Sequence, residues 1–378
     1  MLNILVTYEV KDNTTDVNVV SLTDMFNYMG VSYKFMKTSM VRRGDIEWGD
    51  ILLAIRPNSL YSYRIAKAAK RAGRYYILLI DDDIISMDKL HPDSWKRKYT
   101  VKCLGVGDTI LTPNPFMQKD YSNRFNVKSI MVDAHVNEQD IKPMHSVGEK
   151  IKLVYPAGRD HAVVFNKYLT PVIKKLLTQY KDKIDITFVG VKPDVGEYDN
   201  VHYINNMSFA DYLKYMQSEV FDIGLAPLED TSFCQKKYFI KYIEYTKNGI
   251  LGLYSNVYPY KYAVNNNENG ILVNNAIVEW EKAITGVMDN VSEIGRMVSA
   301  AQSDLRRKYS IEAVTKTFIS LCPEITSFIA PSTFVRYYSF TPSVVFYNMR
   351  NLLTKIVFRL IPNRFKYSSI SKKKKNEA

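Results

Sequence analysis

The sequence predicts an α/β protein of two parallel-sheet domains followed by a basic amphipathic helical tail. Short apolar runs alternate with amphipathic helical segments from Asn3 to Leu321, an order that builds parallel sheets. At 378 residues the chain exceeds what one hydrophobic core usually supports, so two domains are expected. The formal charge of +12 is uneven: residues 331–378 hold ten Lys or Arg against one acid, leaving only +3 on the other 330 residues.

Composition narrows the class. With 46% hydrophobic residues the chain can bury real cores and is not a disordered protein. Cys103, Cys234 and Cys322 are far apart and odd in number, with neither a metal spacing nor a disulfide framework, which suits a reducing cytoplasm. The opening MLNILVTYEV reads as a strand rather than a signal peptide. No uninterrupted apolar run reaches the roughly 18–20 residues needed to span a bilayer. Charge exported to one end, without a recognisable module, argues against a nucleic-acid binder.

In order, Asn3–Tyr8 is a strand, Val17–Gly30 a helix and Val31–Met36 a second strand. The turn after the first strand, TYEVKDNTT, has no glycine fingerprint, which weighs against a dinucleotide-dependent hydride-transfer enzyme. Trp48–Pro57 is a third strand with Arg56 at its carboxyl end, Tyr61–Gly73 a helix, and Tyr75–Ile80 a fourth strand delivering Asp81-Asp82-Asp83 to the sheet edge, where ligands of open sheets gather. The aspartate triplet is either a paired-carboxylate metal site or a cap with its neighbours facing water. Strands over Thr109–Pro115 and Val127–Val132 follow, the latter leading to His135. Residues 1–140 form the first domain. The polar stretch IKPMHSVGE, 141–149, is the expected linker. Residues 150–325 form the second domain.

That domain opens with a strand over Lys150–Tyr155 and the turn Pro156 to His161, a small-residue loop where backbone amides can approach a phosphate. Ile184–Val189 ends at Gly190, a candidate backbone wall, and Val201–Ile204 is a short strand. The central unit is FDIGLAPLEDTSFCQKKYFIKYIEYTKNGILGLYSNVYP, 221–259. It reads as strand, loop, a helix over Lys237–Lys247, then a strand over Ile250–Tyr254 parallel to the first. Lys236 and Lys237 would bring two cations to the helix N-terminus, with Lys241 and Glu244 one and two turns on. Such a set can grip a molecule with vicinal hydroxyls at one end and phosphates at the other, a nucleoside diphosphate. The alternative is a solvated helix face on which Lys241 and Glu244 pair locally.

The segments DIGLAPLED, KKYFIKYIEY, NGILGLYSNVYPY and NENGILV followed by EWEKAI resemble the donor-binding region of retaining GT-B glycosyltransferases, family 4 and its bacterial polysaccharide relatives. The resemblance implies two Rossmann-like domains facing a cleft, with the last helices packing back on the first domain. It implies a hexosyl- or glycosyltransferase moving a sugar from a nucleotide-diphosphate sugar to a glycan or lipid-linked acceptor in polysaccharide biosynthesis. It gives Glu244 the ribose, and Arg159 and Lys237 the diphosphate, with Gly158 in the same loop. Where the family commonly has a second glutamate, eight positions before Glu244, this chain has Lys236. Arg56, Asp82, His135 and His161 are the further cleft candidates. Neither a metal nor another cofactor is expected, and no catalytic base is assigned. A non-catalytic, transferase-like scaffold is the alternative.

In the tail, Val345, Met349, Leu352, Leu353, Ile356 and Leu360 follow helical spacing opposite Arg350, Asn351, Thr354, Lys355 and Arg359, and Lys372–Lys375 adds four charges. One reading is an anchor lying on an anionic membrane surface. The other is a helix docked on the protein's own body. The first reading places the protein in the cytoplasm, peripheral at the inner face of the membrane.

Overall fold

The computed structural model describes residues 2–86, 94–338 and 341–360; the Lys372–Lys375 run lies outside them. By internal packing the chain forms two units: Met1–Val19, Met29–Met131 and Ile319–Ala378 make unit 1, and Val20–Tyr28 with Val132–Phe318 make unit 2.

Unit 1 is built on a six-stranded sheet of β1 (Asn3–Tyr8), β2 (Ser32–Lys37), β3 (Ile51–Ile55), β4 (Tyr75–Leu79), β5 (Thr109–Thr112) and β6 (Lys128–Met131). Every pair is parallel, in the order β2-β1-β3-β4-β5-β6. All five residues of β3 are buried, as a central strand covered on both faces requires. The helix Leu60–Arg71 covers it with Ile65, Ala66 and Ala69, and the Ser59 hydroxyl caps its start by accepting from the Ser62 amide at 3.1 Å.

The expected strand over Trp48–Pro57 is shorter than its apolar run. Trp48 closes a helix, Arg43–Trp48, held at its start by Asp45, which accepts from the Arg42 amide at 2.8 Å. Likewise Pro115 opens a helix to Phe125, capped by Asn114, rather than ending a strand.

The chain returns to unit 1 at its far end. Arg74 donates to the Pro331 carbonyl at 3.0 Å, Thr333 to the Ala72 carbonyl at 2.7 Å, and Val335 is fully buried in the core. The helix Pro342–Leu360 follows. It docks through buried Val344 and Tyr347, the latter ring lying 5.9, 5.4 and 5.7 Å from Tyr61, Trp95 and Tyr99. Arg350 stacks 4.7 Å over Trp95. The apolar stripe faces away from this contact: Met349, Leu352, Leu353 and Ile356 are exposed, as is Phe346.

Unit 2 is built on β7 (Ile151–Pro156), β8 (Ile184–Val189), β9 (Val201–Ile204), β10 (Ile223–Ala226), β11 (Leu251–Ser255) and β12 (Ile271–Val273). All pairs are parallel, in the order β12-β11-β10-β7-β8-β9. Counted within the unit this is 3-2-1-4-5-6, the order of the Rossmann sheet. The 141–149 stretch runs along this unit, and unit 1's sheet ends earlier, at Met131. The Lys142 ammonium donates to the Met216 and Glu219 carbonyls at 2.9 and 2.6 Å, satisfying the end of the helix Phe209–Ser218. His145 Nε2 lies 3.0 Å from the buried Asp222 carboxylate.

Candidate functional site

In unit 2 the chain reverses its direction of strand addition between β7 and β10, and ligands of open α/β sheets bind outside the carboxyl ends of the strands at such a point. The loop leaving β7 carries Gly158 and the turn Arg159–His161. It is held from below: Ala157 N donates to Val189 O at 3.0 Å, and the Tyr155 hydroxyl to His161 O at 3.2 Å. Gly190, just past β8, has φ +76°, and a methyl group there would fall 2.9 Å from the Ala157 carbonyl. Only a glycine lets these two loops close up. Arg159 is exposed; its carbonyl accepts from the Ala162 amide, while its side chain makes no hydrogen bond or ion pair among the described residues. The helix Ala162–Tyr168 that follows has no side-chain cap.

The loop leaving β10 departs from expectation. The Thr231 hydroxyl caps a one-turn helix, Ser232–Gln235, by accepting from Cys234 N at 3.2 Å. The next helix starts only at Ile240. Phe239 separates them, 1% exposed and with ψ +38°, outside the helical region. Lys236 and Lys237 therefore sit in the turn between two helices, not at the head of one, and gain no helix-dipole support of the kind predicted. The Lys237 ammonium lies 5.0 Å over the Phe233 ring. Lys241 and Glu244 are together on the second helix, 2.5 Å apart, and Tyr212 donates to the same Glu244 oxygen at 3.4 Å. Burial, and then the Glu244 charge, pushes the Tyr212 hydroxyl well above its ordinary range, so it stays a donor.

One pair not singled out by sequence ties the two loops. Lys167, beyond the β7 loop, reaches Glu229, beyond β10, at 3.1 Å, and Tyr168 donates to Glu229 at 3.2 Å. Arg159 is thus placed on the β7 side of the switch point and Lys236, Lys237 and Glu244 on the β10 side, with no direct bond between Arg159 and Glu244. His135 is elsewhere. Its side chain is 4% exposed, with Nε2 3.1 Å from Asp24 and Nδ1 3.4 Å from Ser21. Both ring nitrogens face protein groups rather than a ligand. Beside it, burial raises the Asp133 carboxyl to about 6 although the Tyr238 hydroxyl donates to it at 3.3 Å.

In unit 1 the aspartate triplet is divided among local partners. Asp81 pairs with Arg56 and accepts from Asn18 at 2.7 Å. Asp82 accepts from the Asp83 amide at 3.0 Å, and buried Asp83 from the Tyr121 hydroxyl at 3.1 Å. Among the described residues no group of three or more His, Cys, Asp or Glu is placed to hold a metal ion. Arg56, with φ +45°, lines a cavity of about 290 Å³ together with Glu9, Asp12, Asn58, Lys96 and Arg97. Asp82 does not line it. No helix among the described residues is long and apolar enough to cross a membrane.

No family profile matches the sequence, and no curated protein matches it significantly. Solved structures do match. Sucrose-phosphate synthase from Thermosynechococcus elongatus aligns over 86% of this chain and 99% of its own, with TM-score 0.62 and 10% identity. Anabaena HepE, solved with UDP and glucose, aligns over 86% and 100%, with TM-score 0.62 and 11% identity. A glycosyltransferase from Rickettsia africae aligns over 86% and 98%, with TM-score 0.56 and 13% identity. The chain has the two-domain, GT-B-type α/β fold of these proteins.

Proposed function

We propose that the protein is a glycosyltransferase whose unit 2 binds a nucleoside-diphosphate sugar and whose unit 1 takes the acceptor. The observation that carries this is the switch point of the unit 2 sheet, where the Gly158–Arg159 loop, Gly190, the Lys236–Lys237 turn and Glu244 all follow carboxyl ends of strands. The fold it shares with a protein solved with UDP and glucose supports the reading. In it, Glu244 accepts from the ribose hydroxyls, held in place by Lys241 and Tyr212. Arg159 and Lys237 face the diphosphate, and the amides around Gly158 and Gly190 form the wall beside it.

The chemistry then follows. Binding energy from the nucleotide orients the sugar, and fixed cations take up the charge that develops on the departing diphosphate. Positive side chains, not a bound metal, fill that role in this proposal. Transfer is proposed with retention, to a glycan or lipid-linked acceptor of polysaccharide synthesis. The helix Pro342–Leu360 would seat the enzyme peripherally on the inner, anionic face of a membrane: its apolar stripe is turned away from unit 1, and its flanking sequence is basic.

Calorimetry against a panel of nucleoside diphosphates tests the reading, followed by assay for nucleoside diphosphate released from the matching sugar donor. Saturable binding with release supports it. Binding without release on any acceptor supports the second reading, a transferase-like scaffold, which Lys236 in place of the family's glutamate favours. Absence of binding across the panel overturns both.

A further inference from the structure

Three consecutive side chains of one short helix in unit 2 reach two different loops. The helix Ala162–Tyr168 follows the Arg159–His161 turn directly. Asn166 exchanges a pair of hydrogen bonds with Asp194, in the loop after β8: its amide nitrogen donates to the carboxylate and its amide oxygen accepts from Asp194 N, both at 2.8 Å. Lys167 and Tyr168 reach the loop after β10. There the Glu229 carboxylate accepts from the Lys167 ammonium at 3.1 and 3.3 Å and from the Tyr168 hydroxyl at 3.2 Å.

Glu229 is the near end of a stretch bonded to itself as far as Lys237. Asp230 accepts from the Gln235 side chain at 2.9 Å, and Thr231 caps the Ser232–Gln235 helix. The amides of Lys236 and Lys237 donate to the carbonyls of Phe233 and Cys234 at 3.2 and 3.1 Å. Leu228, just before the stretch, is held from the β11 side: its amide donates to Ser255 and its carbonyl accepts from Asn275, each at 2.8 Å. Glu229 fixes the stretch on the β7 side. Lys167 is half exposed, and such ion pairs add little to global stability. The consequence of this one is placement, because binding groups need neighbours that hold them in register.

We propose that Glu229 is a positioning residue: held by Lys167 and Tyr168, it sets where the Lys236–Lys237 turn stands relative to the Arg159 loop, and so fits those cations to a diphosphate. The diphosphate rests on the donor reading above; the tie does not. The sign of the effect separates this role from a bystander's. Removing a carboxylate from beside an anion site strengthens anion binding by charge alone, whereas loss of the tie weakens it, because the cations no longer converge.

The full chain is tested by amide hydrogen exchange without ligand, and by calorimetry with UDP, ADP and GDP and with the bare nucleoside of whichever binds tightest. In Glu229→Gln, exchange at residues 230–237 rises at least about threefold and diphosphate affinity falls about threefold or more, while nucleoside affinity and the unfolding midpoint hold. Tyr168→Phe gives a smaller loss of the same kind. Lys167→Glu combined with Glu229→Lys recovers most of what either change loses alone. Equal or tighter diphosphate binding in Glu229→Gln overturns the proposal, as does equal loss for the bare nucleoside or no recovery in the exchanged pair. So does a loss confined to Lys167→Met, which would make the lysine itself the contact. If wild type binds no nucleoside diphosphate, the donor reading is lost and exchange alone decides the tie: faster exchange in Glu229→Gln upholds it, and wild-type exchange overturns it.

Discussion

Gly224 and Gly252 are register partners on β10 and β11, and the room left by their missing side chains is filled by Tyr245 and Tyr254. A methyl on Gly224 would fall 2.5 Å from the Tyr245 ring, and one on Gly252 1.9 Å from the Tyr254 hydroxyl. The two rings sit 6.1 Å apart, and Tyr245 donates to Leu225 O at 2.7 Å. This seats the helix Ile240–Lys247, and Glu244 with it.

Gly224→Ala should therefore destabilise the protein by about 1–3 kcal/mol, the usual penalty of forcing atoms into a filled core. Urea unfolding checks this. A variant as stable as wild type would mean that Tyr245 moves aside freely.

Glu244→Ala should weaken nucleoside diphosphate binding by about tenfold or more while leaving the unfolding midpoint close to wild type, since a hydrogen bond to a charged group is worth about 1.5–3 kcal/mol. Lys241→Met, which removes only the neighbour, should cost less. Unchanged affinity in Glu244→Ala removes the ribose assignment.

Arg159→Ala should lower affinity for a nucleoside diphosphate but not for the bare nucleoside, and the loss should shrink as salt rises. Equal loss for both ligands would show that the arginine shapes the loop rather than meeting the phosphates.

Asp133 sets a pH dependence. Its folded pKa of about 6 lies above its ordinary value of 3.8, so between about pH 4 and 6 the folded state binds more protons than the unfolded. Stability attributable to this group therefore falls as pH rises through that window, by on the order of 2–3 kcal/mol. Asp133→Asn should abolish that component. Parallel stability–pH curves for wild type and variant from pH 4 to 7 would refute it.

Leu352→Glu with Leu353→Glu should reduce cosedimentation with anionic vesicles several-fold without lowering thermal stability, because both side chains are exposed. A drop in stability with unchanged vesicle binding would argue for a protein contact on that face.

Much of this architecture was readable from residue order. The spans Asn3–Tyr8, Ile184–Val189 and Val201–Ile204 emerge from apolar runs bounded by turn residues, and each is a strand with those bounds. Ser208 caps its helix as its position suggests, accepting from Asp211 N at 3.2 Å. What periodicity cannot give is the break at Phe239, because Phe239, Ile240 and Ile243 keep helical spacing across it; burial of the ring decides the backbone there. Spacing likewise names the apolar stripe of the last helix but not which side docks, which depends on the distant Tyr61, Trp95 and Tyr99. That Glu9, Lys96 and Arg97 line one cavity was invisible for the same reason: only the folded sheet brings together positions nearly 90 apart.

Val335 closes the core of unit 1 from a point about 330 residues beyond Leu5 in that core's first strand. A nascent chain must therefore leave that part of the core open until Val335 has emerged, by which time all of Val132–Phe318 has been made. Synthesis order and completion order are thus opposed: the half translated first is the half sealed last, and a premature stop anywhere before Val335 leaves that gap greasy and uncovered.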